Sequence, residues 1–398
     1  MLSRREIVLW AMALVLVSAV LVVTRFASDD PDSALYAALS AQLAERPASH
    51  WIAPEWAGHW DHEGLFREHP IGIFVLPTLL GAAGVPGEQA AYIVGIAAGL
   101  AALLLIAALA ARLTSRADGR ALLVLLQLIP LAFIFRIRAN HEYPMLVFLL
   151  VAVIGIDAAR RSWRWIWVTP VALCAAVLTK TVFVAVPLVA IGWWLLTNPL
   201  RERGPISRAL VALAAGAAAI AAMCVVYEMA YVRVTGDSFW AGLWARQMAP
   251  LTLGGTVDAA STPTVLHHLG FYALRVAWHP APWSFALVAA AWASRRTWRE
   301  RWHALPDGAR RGLVVALGFA ATTIAMFTPS SRFAERYIFS PNYAIAAAGI
   351  VVALYHWPRL RAWVDRADAR VPALPVVCWT ALMLIRLVLG PFLPRITG

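Results

Sequence analysis

Charge is scarce in this chain: Asp, Glu, Lys and Arg make up 14% of its 398 residues, against about 25% in an ordinary soluble domain. That shortage excludes a water-soluble body. Cysteine is scarcer still. Cys174, Cys224 and Cys378 each lie inside an apolar run, which excludes a disulfide framework and any CxxC metal pattern and leaves them as small packed hydrophobes. Fixed-period repeats, low-complexity linkers and a separate soluble domain are missing too. What fills the chain is apolar: 61% of residues are hydrophobic, in runs of membrane length from one end to the other. The reading is an all-α polytopic integral membrane protein, one membrane domain over residues 1–398. The excess of basic over acidic residues, 34 against 22, then describes arginine anchors at a membrane surface and not a nucleic-acid partner.

The first span runs roughly Ile7–Val23, behind Arg4 and Arg5. Its apolar core is too long and TRFASDD is too poor a cleavage site for a signal peptide, so it reads as a retained span. Later apolar segments run roughly Ala90–Ala111, Ala121–Phe135, Pro144–Ala158, Ile166–Leu178, Val182–Leu196, Ala209–Tyr231, Pro282–Ala293, Leu313–Phe327, Ile338–Leu354 and Leu374–Leu389. The loops between them alternate. One kind is arginine-rich, as in ARLTSRADGR, AARRSWRW and NPLRERGPISR; the other is acidic, aromatic or mixed. The stretch REHPIGIFVLPTLLGAAGVPG (Arg67–Gly87) decides the count. If Pro70–Val85 crossed, every later arginine-rich loop would fall on the side opposite Arg4 and Arg5. The positive-inside rule favours the other choice. The segment is also short and interrupted by Pro77 and glycines, so it reads as a juxtamembrane or re-entrant stretch. About eleven spans follow, with two large outer segments at 28–85 and 233–281.

The first outer segment begins ASDDPDSALYAALSAQLAERP, an amphipathic helix behind an Asp or Ser cap. Asp29 and Asp30 read as capping carboxylates. Further on, Trp51, Trp56 and Trp60 suit an interface, and His50, His59, Asp61, His62, Glu63 and His69 are metal-ligand types. The HxxH pair His59 and His62 lacks the helix of an HExxH site, and a polar interfacial loop explains it as well. No metal ligand is assigned, though a divalent ion stays open. Other polar groups lie near membrane depth, where charge is expensive: Arg136, Arg138, His141 and Glu142; Lys180 between two apolar runs; and Arg332, Glu335, Arg336 and Tyr337. A Glu–Arg pair or a snorkelling anchor would account for some of these. Carboxylates at Asp32, Glu68 and Glu142 can accept a proton or orient a hydroxyl. Cations at Lys180, Arg332 and Arg336 can hold a phosphate leaving group.

In this order the motifs resemble the GT-C superfamily of membrane glycosyltransferases, in the branch of protein O-mannosyltransferases and aminoarabinose (lipid A) transferases. DSALYAAL matches the motif after the first span, with Asp32 on the acidic position and Ser33 replacing a Glu. ASHWIAPEWAGHWDHEGLFREHPIGIF matches the second, with Glu68 kept and His69 replacing a Lys. RANHEYPMLVFLL places Glu142 on an Asp position, LTKTVFVAVP carries Lys180, and RYIFSPNYAI carries Arg336 and Tyr337. The resemblance implies a GT-C-like bundle with outer juxtamembrane helices. It also implies a polyprenyl-phosphate sugar donor, a glycan, lipid or protein acceptor, and inversion at the sugar carbon. Asp32, supported by Glu68 and Glu142, would act on the acceptor. Lys180, Arg336 and His69 would bind the donor phosphate, with Tyr36 and Tyr337 against substrate. The site would open on the periplasmic side of the inner membrane, among membrane lipids. A transporter or flippase of lipid-linked sugar is the rival reading, but the inverted repeats usual in transporters are not evident. A polyprenyl-phosphate-handling scaffold without catalysis is a further rival, and it would not need Asp32.

Overall fold

The computed structural model describes residues 3–28, 30–56, 62–197, 204–248, 265–330 and 334–389. Among them the only β pairing is one bridge, Glu55 to Leu65. In lipid a chain has to satisfy its backbone within each segment, which makes long apolar runs helical. Helix α1 (Arg4–Thr24) opens on a capping box between Ser3 and Glu6. After it come α2 (Pro31–Ala44), α3 (Gly72–Ala82), α4 (Gly87–Leu113), α5 (Arg116–Leu125) and α6 (Pro130–Ile134). The middle of the chain forms α7 (Glu142–Arg161), α8 (Val168–Lys180), α9 (Ala185–Thr197), α10 (Ile206–Thr235) and α11 (Phe239–Leu243). The last third forms α12 (Val265–Trp278), α13 (Trp283–Ala293), α14 (Trp298–Ala304), α15 (Asp307–Phe327), α16 (Phe339–His356), α17 (Pro358–Arg370) and α18 (Leu374–Leu389).

Seven helical stretches of the described residues are long and apolar enough to cross a membrane, so the protein is an integral membrane protein. One of the seven, Trp163–Thr197, is two helices. Lys180 leaves helical geometry (φ −160°, ψ 98°). Beyond α9, Gly204 accepts a bond from Arg160, the same end from which α8 departs. Both ends of the stretch therefore lie on one face, and the chain reverses near Lys180. The expected span Ala121–Phe135 is broken. Pro130, which has no N–H to continue α5, starts α6 after an extended Ile129. Within the expected outer loop 233–281, α10 runs on to Thr235 and α12 forms from VLHHLGFYALRVAW.

Ion pairs and hydrogen bonds sort the loops onto two faces. On one, Glu6 bonds Arg120, Arg112 and Arg161 share Asp157, Arg361 pairs with Asp118, and Arg208 reaches the carbonyls of Arg160 and Arg161. The N-terminus and the arginine-rich loops thus gather together, as the charge alternation predicts. On the opposite face lie α2, α3, the turn before α7, Lys180 and the residues leading into α16. The segment α3 is held there at both ends. Phe74 packs on Tyr36 of α2, and at the far end Gly81 lies against Ala44 of α2. Eleven residues reach about 16 Å, half of a hydrocarbon core. This segment does not cross.

The site face rests on close backbone contact with α4. A Cβ on Gly95 would lie 2.0 Å from the carbonyl oxygen of Arg138. Gly95→Ala is therefore expected to lower stability by about 1–3 kcal/mol and to displace the Arg138–Ala139 backbone that borders the site. Thermal unfolding of the purified protein in detergent, beside wild type, measures the loss.

Candidate active site

The N-terminus of α2 is fastened before it presents any chemistry. Asp30 caps the helix, accepting bonds from the Ser33 amide (3.0 Å) and hydroxyl (2.6 Å). Its other oxygen lies 3.3 Å from Arg138. The Ser33 hydroxyl in turn accepts from the Ala139 amide at 3.1 Å. Ser33, which departs from the motif that the sequence resembles, thus ties α2 to the turn before α7. Asp30 does more than cap. Held this way, Asp32 in the first turn of α2 forms an ion pair with Arg336, and both side chains stay partly exposed.

Beneath this pair lies a buried polar cluster. Lys180 Nζ is 2.6 Å from His141 Nε2, which is 3.3 Å from a Glu142 oxygen. All three residues are nearly inaccessible. Lys180 and Glu142 also feel each other's charge. The two Glu142 oxygens accept no hydrogen bond among the described residues. Lys180 is the only lysine in the chain. Its ammonium sits 4.6 Å from the ring centre of Phe183 and 5.8 Å from that of Tyr337, an aromatic setting that favours a cation. Phe183 stacks on Phe327, whose ring also meets Tyr337. On the other side, the rings of Tyr36, His69 and His141 lie within 6.2 Å of one another. Glu68 is half-buried next to His69 and acts electrostatically on Tyr36 and Lys180.

Asp32, Tyr36, Glu68, His69, Glu142, Lys180, Arg336 and Tyr337, eight of the residues singled out in the sequence, therefore meet at one end of the bundle. His69 stands where the motif that the sequence resembles has a lysine, and it takes a different character. Burial, reinforced by the Lys180 charge, holds its imidazole well below the usual histidine range, and His141 behaves alike. Both are neutral, so His69 can offer an N–H but no charge. The sign of the pH dependence follows. Below about pH 6.5 the unfolded chain binds protons at these two positions before the folded one does, so stability falls as pH falls. The expected slope is about 1.4 kcal/mol per pH unit for each histidine until its folded pKa is reached. Melting temperatures at pH 5 and pH 7.5 would test this, and His69→Gln should flatten the difference.

Some neighbours carry no local signal in the sequence. Glu335 does not pair with Arg336 next to it. Its carboxylate lies 3.3 Å from Nε2 of His279, whose Nδ1 is 3.2 Å from the Asn342 amide nitrogen. Arg332, Asp29, His59, Trp60 and Asp61 lie outside the described residues. Within those residues no three His, Cys, Asp or Glu side chains are grouped to hold a metal.

A family model described as dolichyl-phosphate-mannose-protein mannosyltransferase matches residues 68–228, which include Glu68, His69, Glu142 and Lys180. No curated protein matches the sequence. Among solved structures, ArnT from Cupriavidus metallidurans in the apo state is similar at a TM-score of 0.61 and 17% identity, over 98% of this chain and 66% of that one. The same protein bound to undecaprenyl phosphate gives 0.62 and 18%, over 94% and 66%. This chain thus spans about two thirds of the length of ArnT. Over nearly all its length the chain has the ArnT fold, the GT-C architecture that its motifs resemble.

Proposed function

We propose that the protein is a membrane glycosyltransferase that moves a sugar from a polyprenyl-phosphate donor to a hydroxyl or amine acceptor. The observation that carries this reading is the convergence of Asp32, Glu142, Lys180 and Arg336, from four separate segments, at one end of the bundle. Carboxylate and cations stand side by side there, as displacement of a phosphate from a sugar carbon requires. The ArnT fold, with a relative bound to undecaprenyl phosphate, supports the donor class. So does an apolar cavity of about 150 Å³ lined by Leu146, Leu150, Ala190, Phe319 and Tyr343, where a polyprenyl tail would be sheltered. By the positive-inside rule the arginine-rich face lies in the cytoplasm and the site opens on the far side of the inner membrane.

In this mechanism the donor phosphate lodges between Lys180 and Arg336. Arg336 is already engaged by Asp32, so an arriving phosphate competes for the guanidinium and releases the carboxylate. Asp32 then takes the proton of the acceptor as the acceptor attacks the anomeric carbon. The bond from that carbon to the phosphate oxygen breaks, and polyprenyl phosphate leaves with its charge held by Lys180 and Arg336. Attack opposite the leaving group inverts the sugar carbon. Glu142 and Glu68 keep the Lys180 side of the site electrically balanced, and Tyr36 and Tyr337 wall the sugar. Donor binds first.

The test is release of polyprenyl phosphate from a panel of polyprenyl-phosphate sugars by purified protein in liposomes. Release, with sugar appearing on an acceptor, supports the transferase. Passage of labelled lipid-linked sugar across the bilayer without release would replace it with a transporter.

A further inference from the structure

A second cleft lies at the opposite, arginine-rich end of the bundle, between the first turns of α1, the end of α4, the start of α5 and the entry to α18. Its mouth, about 610 Å³, is lined by Ser3, Arg5, Glu6, Arg116, Arg120 and Pro372. Beneath it an apolar slot of about 70 Å³ runs between Leu9, Trp10, Leu104, Ala107, Ala108 and Val376. The two share Glu6, Leu9, Arg116 and Arg120 in their walls. Small side chains make the slot: α4 and α5 approach so closely that a Cβ on Gly119 would sit 2.5 Å from the Ala107 carbonyl oxygen.

Arginines outnumber acids among the described residues of the mouth. Glu6 bonds Arg120 and lies 3.6 Å from Arg116. Arg120 also donates to the Pro372 carbonyl at 2.7 Å, and Arg5 is exposed. Among the described residues lining the mouth are three arginines and one glutamate. Next to the mouth, α1 turns Ile7, Val8, Met12 and Val15 outward, each more than half exposed, as a helix facing lipid does. A ligand here meets positive charge at the membrane surface and apolar walls directly below.

We propose that this cleft binds an anionic phospholipid, its head group on Arg5 and Arg116 and one acyl chain entering the slot beside Leu9 and Trp10. A free phosphate would find the charge but leave the slot empty. A zwitterionic head group would bring no net charge to complement the arginines. The site is separate from the candidate active site and does not rest on the transferase reading.

Native mass spectrometry of the full-length protein in detergent tests this, with phosphatidylglycerol, cardiolipin and phosphatidylcholine offered in equal amounts. Wild type should retain the two anionic lipids and release phosphatidylcholine, and millimolar inorganic phosphate should not displace them. Each basic residue near an anionic head group contributes about 1 kcal/mol, so R5Q/R116Q should retain anionic lipid about 30-fold less. Arg120 stays in place because it braces Glu6. Equal retention of all three lipids by wild type, or unchanged retention by R5Q/R116Q, overturns the proposal. Displacement by inorganic phosphate overturns it too, reducing the cleft to a bare anion site. If the variant does not fold, the wild-type lipid comparison decides alone.

Discussion

Asp32→Asn should fold as wild type does and lose turnover, with kcat down about 10²- to 10⁴-fold and the donor KM unchanged or lower. The amide has the shape of the carboxylate, and Asp32 is only partly buried, so the substitution leaves no cavity. What it removes is proton affinity. An acceptor hydroxyl must lose its proton as it attacks, and the amide cannot take it. The effect on donor binding has the opposite sign. Arg336 is held by Asp32 when no donor is present, and removing the negative charge leaves the guanidinium free for phosphate. A fall in kcat without a rise in KM marks an interaction made only in the transition state. Release of polyprenyl phosphate at several donor concentrations, with a melting curve to confirm folding, reads both constants. If kcat stays within a few-fold of wild type, Asp32 is no base and the transferase mechanism fails at its first step.

Much of this arrangement is legible in the amino-acid sequence alone. The reason is that charge is so costly in lipid that every charged residue carries information about depth and side. The arginine-rich loops reveal their shared face through alternation, and that alternation requires Gly72–Ala82 to stay on one side. Contact with α2 at both ends shows how it does so. Motif order is enough to collect Asp32, Glu68, Glu142, Lys180 and Arg336. Partners are another matter. Adjacency in the chain suggests that Glu335 neutralises Arg336, yet Glu335 turns to His279 and Arg336 turns to Asp32. Lys180 likewise meets His141 only because α7 and α8 pack as a hairpin whose turn-distal ends bring positions 39 apart together. Nothing local encodes that distance. The charge state of His69 is hidden for the same reason. Its neutrality comes from Tyr36, His141 and Lys180 closing around it, and composition cannot report enclosure.

Lys180→Met separates two roles that the structure gives to one side chain. As partner to Glu142, Lys180 balances a buried carboxylate that accepts no hydrogen bond among the described residues. Removing it leaves that carboxylate uncompensated, a loss of about 3–5 kcal/mol for a buried pair broken on one side. As a phosphate ligand, its loss should lower kcat/KM for the donor by about 10²- to 10³-fold, the range for deleting one preorganised charge stabiliser. Adding Glu142→Gln removes the stranded charge. The Lys180→Met/Glu142→Gln protein should therefore regain most of the lost melting temperature while its turnover stays low. Arginine is no conservative replacement, because the planar fork is wider than an ammonium seated between Phe183 and Tyr337. A direct contact readout is also at hand. Lys180 is the chain's only lysine and keeps 7% exposure, so slow modification by a small amine-directed reagent in the donor-free protein reports on it alone, apart from the N-terminus. Saturating polyprenyl-phosphate donor should protect it from modification. Recovery of both stability and turnover in the double variant, with no protection of the wild-type lysine, would make Lys180 a structural counter-ion and move the phosphate site to Arg336 alone.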